Sequence, residues 1–169
     1  QSNPKRAARL EWEHVVPAEA LGQSFSEWRV GAPQCHGKKG RKCAKTNLEF
    51  SKMEGDVYNL FPEIGELNGL RSNFSMSQLN ESDYDFGGCK AKIHDRKFEP
   101  MDFAKGIVAR TYLHMETTHP GHGIISDKNR KLFEAWDKLY PLTELECQRW
   151  KKLEKITATK HALISRCPN

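Results

Sequence analysis

Apolar residues alternate with polar ones over Leu10 to Pro17, "LEWEHVVP", whereas from Phe103 to Ile156 they recur every third or fourth position. A period of two places alternate side chains on opposite faces of a strand, and a period near 3.6 lines one face of a helix. A chain that holds both, in separate regions, is expected to be a mixed α+β fold. In the strand, Leu10, Trp12, His14 and Val16 alternate with Glu11, Glu13 and Val15, and Pro17, which has no N–H to donate, closes it. From Ala18 to Asn47 the chain is polar, basic and without clear period, as expected of a long functional or flexible loop.

"DVYNLFP", Asp56 to Pro62, is expected to be a second short strand, with Pro62 as the first residue of a helix over Glu63 to Leu70. That helix is intrinsically weak, since Gly65 and Gly69 each cost about 1 kcal/mol against alanine. Tertiary contact through Ile64 and Leu67 must hold it, and the glycines permit close backbone approach. A polar, Gly-containing stretch runs from Ser72 to Lys97. Three better helices follow in the region 100–158. Pro100 to Glu116 carries Phe103, Ile107, Val108, Tyr112 and Met115; Ser126 caps a helix with Leu132, Phe133, Trp136, Leu139 and Tyr140; a capping box of Thr143 and Glu146 opens one with Trp150, Leu153 and Ile156. These stripes are expected to be core.

The 169 residues, 37% of them hydrophobic, suit one domain over 1–169. A net charge of +5 is a mild basic bias that permits a nucleic-acid partner without requiring one. No apolar run is long enough to cross a bilayer, and "QSNPKRAARL" lacks the apolar core of a signal peptide. Five cysteines without a CxxC favour disulfides in an oxidising compartment, the odd number leaving one thiol free or its partner missing. Cys35, His36 and Cys43 could ligate zinc, but the adjacent Cys-His pair and the absent fourth ligand favour a local Cys35 to Cys43 disulfide. "HPGHG", His119 to Gly123, is read as a turn. Lys38, Lys39, Arg41, Lys42 and Lys45 form the densest basic cluster, suited to a sugar-phosphate backbone and to little sequence preference.

Strict alternation would send Glu13 and His14 to opposite faces, so they can converge only where the strand ends or bulges. Alone, the pair reads most simply as a buried histidine satisfied by a carboxylate. The second segment, "YNLFPEIGELNGLRSN", changes that weighing. It holds Asn68 six residues after Pro62. A histidine closing one strand and an asparagine on a helix after the next resembles the ββα-metal, or His-Me finger, nucleases. "EWEHVVPAEALGQSF", "MEGDVYNLFPEIGELNGLRSNFS" and "GIVARTYLHM", in that order from Arg9 to about Ile156, are similar to the bacterial endonuclease I family.

The resemblance implies a ββα-metal core over about 9–73, surrounded by helices. It implies a sequence-nonspecific endonuclease acting on DNA and also RNA, with one Mg²⁺ ion (Mn²⁺ or Ca²⁺ as substitutes) and 5′-phosphate products. Carried over residue by residue, the general base falls on His14, the metal ligands on Glu13 and Asn68, and the contact to the scissile phosphate on Arg41. Glu11 also matches the motif, as a supporting member of the catalytic group. The family is periplasmic or secreted, and the expected molecule is a monomer with no obligate protein partner. Departures are the family's N-terminal segment with further cysteines, which is expected to be absent, and "TATKHALISRC" where the family shows Asn-His-Asn-Pro-Phe, which leaves the packing of the tail open. Two rivals remain: a noncatalytic nucleic-acid-binding module on the same fold, and a disulfide-stapled secreted interaction domain.

Overall fold

A computed structural model describes residues 3–168. After a first short helix, α1 (Pro4–Ala7), the chain enters β1 (Leu10–His14), which pairs antiparallel with β2 (Leu60–Ile64); helix α6 (Gly65–Arg71) follows β2 directly. Four helices lie between the two strands: α2 (Ala18–Gly22), α3 (Ser26–Arg29), α4 (Arg41–Ala44) and α5 (Leu48–Glu54). The expected 18–47 loop is therefore largely a set of one-turn helices. Pieces this short are unstable alone, so packing and the Cys35 to Cys43 disulfide hold them.

The region 56–70 also departs from expectation. Val57–Asn59 is a 3-10 turn, and Pro62 stands inside β2 opposite Trp12 instead of opening a helix. The ladder bonds from Val15 N to Asn59 O and from Gly65 N to Arg9 O, 3.0 and 2.9 Å, put Trp12 and Pro62 at a non-hydrogen-bonded pair. The missing proline N–H then points away from β1, where it leaves no gap in the ladder. Beyond His14, the side-chain amide of Asn59 continues the pairing: it accepts from Val16 N at 2.7 Å and donates to Val16 O at 3.0 Å. That reciprocal contact fixes where β1 stops and the chain turns through Pro17.

Both glycines of α6 serve close approach. A Cβ on Gly65 would lie 2.8 Å from Arg6 O and from Glu11 Oε1, and one on Gly69 would lie 2.1 Å from Arg6 Nη1. Leu67 is buried as expected, whereas Ile64 is 48% exposed at the end of β2 and gives the helix little support. The polar stretch after Ser72 contains a second sheet, ordered β3 (Ser75–Met76), β5 (Lys97–Glu99), β4 (Lys92–His94), which adds Met76, Ile93 and Phe98 to the core.

The three long helices are α7 (Asp102–Thr118), α8 (Asp127–Leu139) and α9 (Glu144–Thr157). Ser126 Oγ accepts from Asn129 N to cap α8, and the Thr143 and Glu146 capping box of α9 is complete in both directions. Val108, Tyr112 and Met115 on α7 and Phe133 and Trp136 on α8 are buried, with the Tyr112 and Phe133 rings stacked at 4.3 Å. Phe103, Leu139 and Ile156 are exposed instead, each at or near a helix terminus where the apolar face outruns the partner it packs on. Arg110, 1% exposed on α7, ties the three helices together: it makes a two-bond fork to Glu146 at 2.8 and 2.9 Å and donates to Asp137 at 2.9 Å.

The tail packs despite its unusual sequence. The His161 ring lies 3.7 Å from that of Trp150 and 4.3 Å from that of His114, and Tyr58 OH donates to Thr159 O at 2.7 Å. A second disulfide joins Cys147 to Cys167, and Cys89 is the free thiol.

Candidate active site

Glu13 and His14 are the last two residues of β1, where convergence was expected. Together with Asn68 from α6 and Arg41 from α4 they line one cleft of about 420 Å³, walled also by Trp12, Trp28 and Arg71. Four of the five residues singled out from the sequence therefore meet in one place. The fifth, Glu11, does not line that cleft, but touches a residue that does.

The two β1 residues are held by different helices. Arg71, buried at the end of α6, donates to Glu13 Oε1, to His14 O at 2.8 Å and to Val15 O at 2.7 Å. The guanidinium thereby straps the end of the strand to the helix, and among the described residues Glu13 Oε2 has no protein donor. Burial raises the Glu13 carboxyl pKa above its usual value, and Arg71 only partly offsets that.

His14 Nε2 lies 2.9 Å from Glu54 O. A carbonyl can only accept, so Nε2 carries the hydrogen and the lone pair resides on Nδ1. Burial lowers the imidazole pKa, and the charges of Arg41 and Lys45 push the same way, so the ring is neutral at pH 7.

Asn68 is oriented by Glu11. Its Nδ2 donates to Glu11 Oε2 at 3.3 Å, which leaves the amide oxygen Oδ1 as the free end. Glu11 is itself fixed: Arg6 and then Arg9, donating at 2.5 to 3.1 Å, hold its carboxyl down at about 2. It is therefore an ionised clamp on the asparagine.

Arg41 begins α4 directly after Gly40, whose φ of +84° suits only glycine there. Its Nε donates to Glu54 Oε1, and Lys45 Nζ lies 3.1 Å from Glu54 Oε2. Although burial works against it, these bonds keep the Glu54 carboxyl below its ordinary range. Half of the Arg41 side chain stays exposed, and among the described residues its two terminal nitrogens make no hydrogen bond. Lys38, Lys39 and Lys42 are exposed nearby.

Among the described residues no three His, Cys, Asp or Glu side chains gather as a metal cage. The oxygen donors that line the same cleft are the Glu13 carboxylate and the Asn68 amide, each held by a bond through its other polar atom. That set suits a hard cation which keeps several waters, as Mg²⁺ does. The two histidines of the 119–123 turn serve elsewhere: His119 bonds Asp56 at 3.1 Å, and His122 bonds Glu49 at 3.1 Å and Ser24 at 2.8 Å.

Arg71, Glu54 and Arg6 escape a reading of motifs. Arg71 alone carried a signal, standing three residues after Asn68 and so on the same helix face. Glu54 and Arg6 find their partners only through the tertiary fold.

A family model described as Endonuclease I matches residues 1–166. An endonuclease-1 of Buchnera aphidicola is 41% identical over 158 residues, covering 92% of this chain and 59% of the relative. An extracellular deoxyribonuclease of Aeromonas hydrophila is 39% identical, covering 96% of this chain and 68% of the relative, and a periplasmic deoxyribonuclease of the same organism is 39% identical, covering 95% and 65%. The chain thus spans roughly three-fifths to two-thirds of the length of the relatives it matches. With the match running through nearly every residue, including β1, β2 and α6, the chain belongs to the endonuclease I family.

Proposed function

We propose that this chain is a sequence-nonspecific endonuclease that hydrolyses phosphodiester bonds of DNA, and of RNA, with β1, β2 and α6 acting as a ββα-metal centre. The observation that carries the reading is the meeting of His14, with its free Nδ1, and the oxygens of Glu13 and Asn68 in one cleft beside Arg41.

Glu13 Oε2 and Asn68 Oδ1 would hold one divalent cation, Mg²⁺ by donor chemistry. When bound, it supplies positive charge against the negative charge growing on the phosphoryl and leaving oxygens. His14 Nδ1 takes a proton from the attacking water, while Nε2–H stays on the Glu54 carbonyl and keeps the ring in the required tautomer. A positioned base of this kind contributes about 10² to 10⁴ in rate. Arg41, held through Nε by Glu54, presents its terminal nitrogens to the phosphate; the fork geometry is one a lysine cannot reproduce. As the water oxygen bonds to phosphorus, the P–O3′ bond breaks, the 3′ oxygen takes a proton from solvent, and the phosphate stays on the 5′ end. Phosphate contacts carry no base information, which accounts for a lack of sequence preference and for acceptance of both nucleic acids.

The names of the Aeromonas relatives and the two disulfides support a periplasmic or extracellular setting. The test is to incubate supercoiled plasmid with the protein in Mg²⁺ and in EDTA, beside His14→Ala purified identically. Nicking that needs the metal and drops at least 10²-fold in the variant is expected. Equal nicking by both proteins would reject the assignment.

A further inference from the structure

A second cleft, of about 370 Å³, adjoins the first and shares Trp12, His14 and Arg41 with it. Its character is different. The remaining lining is Val57, Leu60 and Leu153 with Lys45, Glu54 and Arg149, so apolar walls meet a basic rim. Trp12 stands between the two clefts and is 70% exposed, although tryptophan is normally among the more buried residue types. Its strand neighbours on the same face, Leu10 at 70% and Ile64 at 48%, are exposed as well. The face of β1 that ends in His14 is thus an apolar ledge leading to the proposed base.

The cations around this cleft are fixed in different ways. The Arg149 guanidinium donates to Leu60 O at 2.7 Å and Val57 O at 3.1 Å and lies 4.1 Å from the centre of the Phe61 ring, so it is a rigid part of the wall. Lys45 and Arg41 are half exposed at the rim. An aromatic plane beside aliphatic side chains, with cations on one side, is the chemistry that accepts a nucleotide: a base on the plane and its phosphates on the cations.

We infer that this second cleft is a nucleobase subsite, in which the base flanking the cleaved bond stacks on Trp12 while Lys45 and Arg41 hold the backbone. The occupant follows from position, because a phosphodiester reaching His14 brings a base on each side within a nucleotide's length of Trp12. The inference rests on the nuclease reading. Stacking is tolerant of base identity, so such a subsite tightens binding without imposing a sequence.

Two measurements with different dependence on cleavage test it. In EDTA, where no turnover is expected, a short single-stranded oligonucleotide should quench the intrinsic fluorescence of the wild-type protein. An otherwise identical strand of abasic units should quench it much less. Trp136 and Trp150 are buried and respond little to a bound strand, and Trp28, which lines the first cleft, is present in both proteins, so the base-dependent quenching that Trp12→Ala loses is the part owed to Trp12.

In Mg²⁺, strands with one cleavable linkage, phosphorothioate elsewhere, and a single abasic site on either side of that linkage should be poorer substrates for the wild type. A loss of roughly 5- to 150-fold in kcat/KM, carried mainly by KM, is the range stacking supports. Trp12→Ala should show that loss on the intact strand and no further loss on the abasic one, and Trp12→Phe should recover most of it. Base-dependent quenching without cleavage would leave the subsite standing and remove the nuclease reading. Quenching that ignores the base, or cleavage in which Trp12→Ala discriminates abasic from intact strands as the wild type does, would overturn the subsite.

Discussion

Replacing Arg71 with methionine should be the most damaging single change that touches no substrate. The side chain is 3% exposed, and its removal leaves the Glu13 carboxylate without its cation and the His14 and Val15 carbonyls without their donors. Methionine fills much of the space, so the loss is electrostatic and not a cavity. Breaking a buried ion pair from one side costs about 3–5 kcal/mol. For a chain of this length each kcal/mol lowers Tm by about 2–4 °C, which gives a fall of roughly 6–20 °C. Arg71→Lys should recover part of it, keeping the charge but losing the fork that spans three acceptors. Thermal unfolding followed by circular dichroism reads both variants. A fall below about 2 °C for Arg71→Met would refute the view that this guanidinium fastens the end of β1 to α6.

Other outcomes follow from the same geometry. Glu13→Ala should abolish metal-dependent cleavage, whereas Glu11→Ala, which only frees the Asn68 amide to rotate, should cost about 10- to 100-fold, measured as plasmid nicking; equal losses would mean the two roles are misassigned. Stability should fall with acid through His161. Burial and the neighbouring His114 hold its pKa at about 2, well under the ordinary value, so below about pH 6.5 the unfolded chain binds a proton that the folded one does not. The decline can reach about 1.4 kcal/mol per pH unit and should be shallower in His161→Phe, as denaturant melts from pH 8 to pH 4.5 would record. Asp56, held low against burial by His114 and His119, stays ionised through that window and adds its own loss only at lower pH. Removing the Cys147 to Cys167 disulfide, which closes a separation of 20 residues, should cost about 3 kcal/mol and loosen the tail, seen as faster hydrogen exchange after residue 158.

The parts of this molecule legible in its sequence are those encoded by local pattern. Alternation ending at a proline located β1 and its terminal Glu13 and His14; capping chemistry located the starts of α8 and α9; and the lack of a fourth zinc ligand beside Cys35, His36 and Cys43 favoured the Cys35 to Cys43 disulfide. Signals weaker than tertiary context misled. Pro62 looks like a helix start, yet the register of β2 turns its absent N–H outward, where it does no harm. The strands of the second sheet are two or three residues long, too short to show a period, and they form because Met76, Ile93 and Phe98 close the core.

Phe103, Leu139 and Ile156 continue helical stripes past the surface that could cover them. The supporting cast of the site was least visible of all. Arg71 bonds Glu13 58 positions away, and the Glu54 carbonyl accepts from His14 across 40, separations at which spacing carries no information. Asn68, Glu13 and Arg41 are singled out by the family resemblance; what orients each of them is visible only in the fold.

The central claim is a division of labour, in which Glu13 and Asn68 hold the cation and His14 moves the proton. Titrating Mn²⁺ into the protein with a nonhydrolysable phosphodiester present, and counting free ion by electron paramagnetic resonance, separates the two roles without requiring turnover. The account predicts one saturable site that survives His14→Ala and weakens by at least tenfold in both Glu13→Ala and Asn68→Ala. A site that persists in those two variants, or one that disappears with His14→Ala, would contradict it.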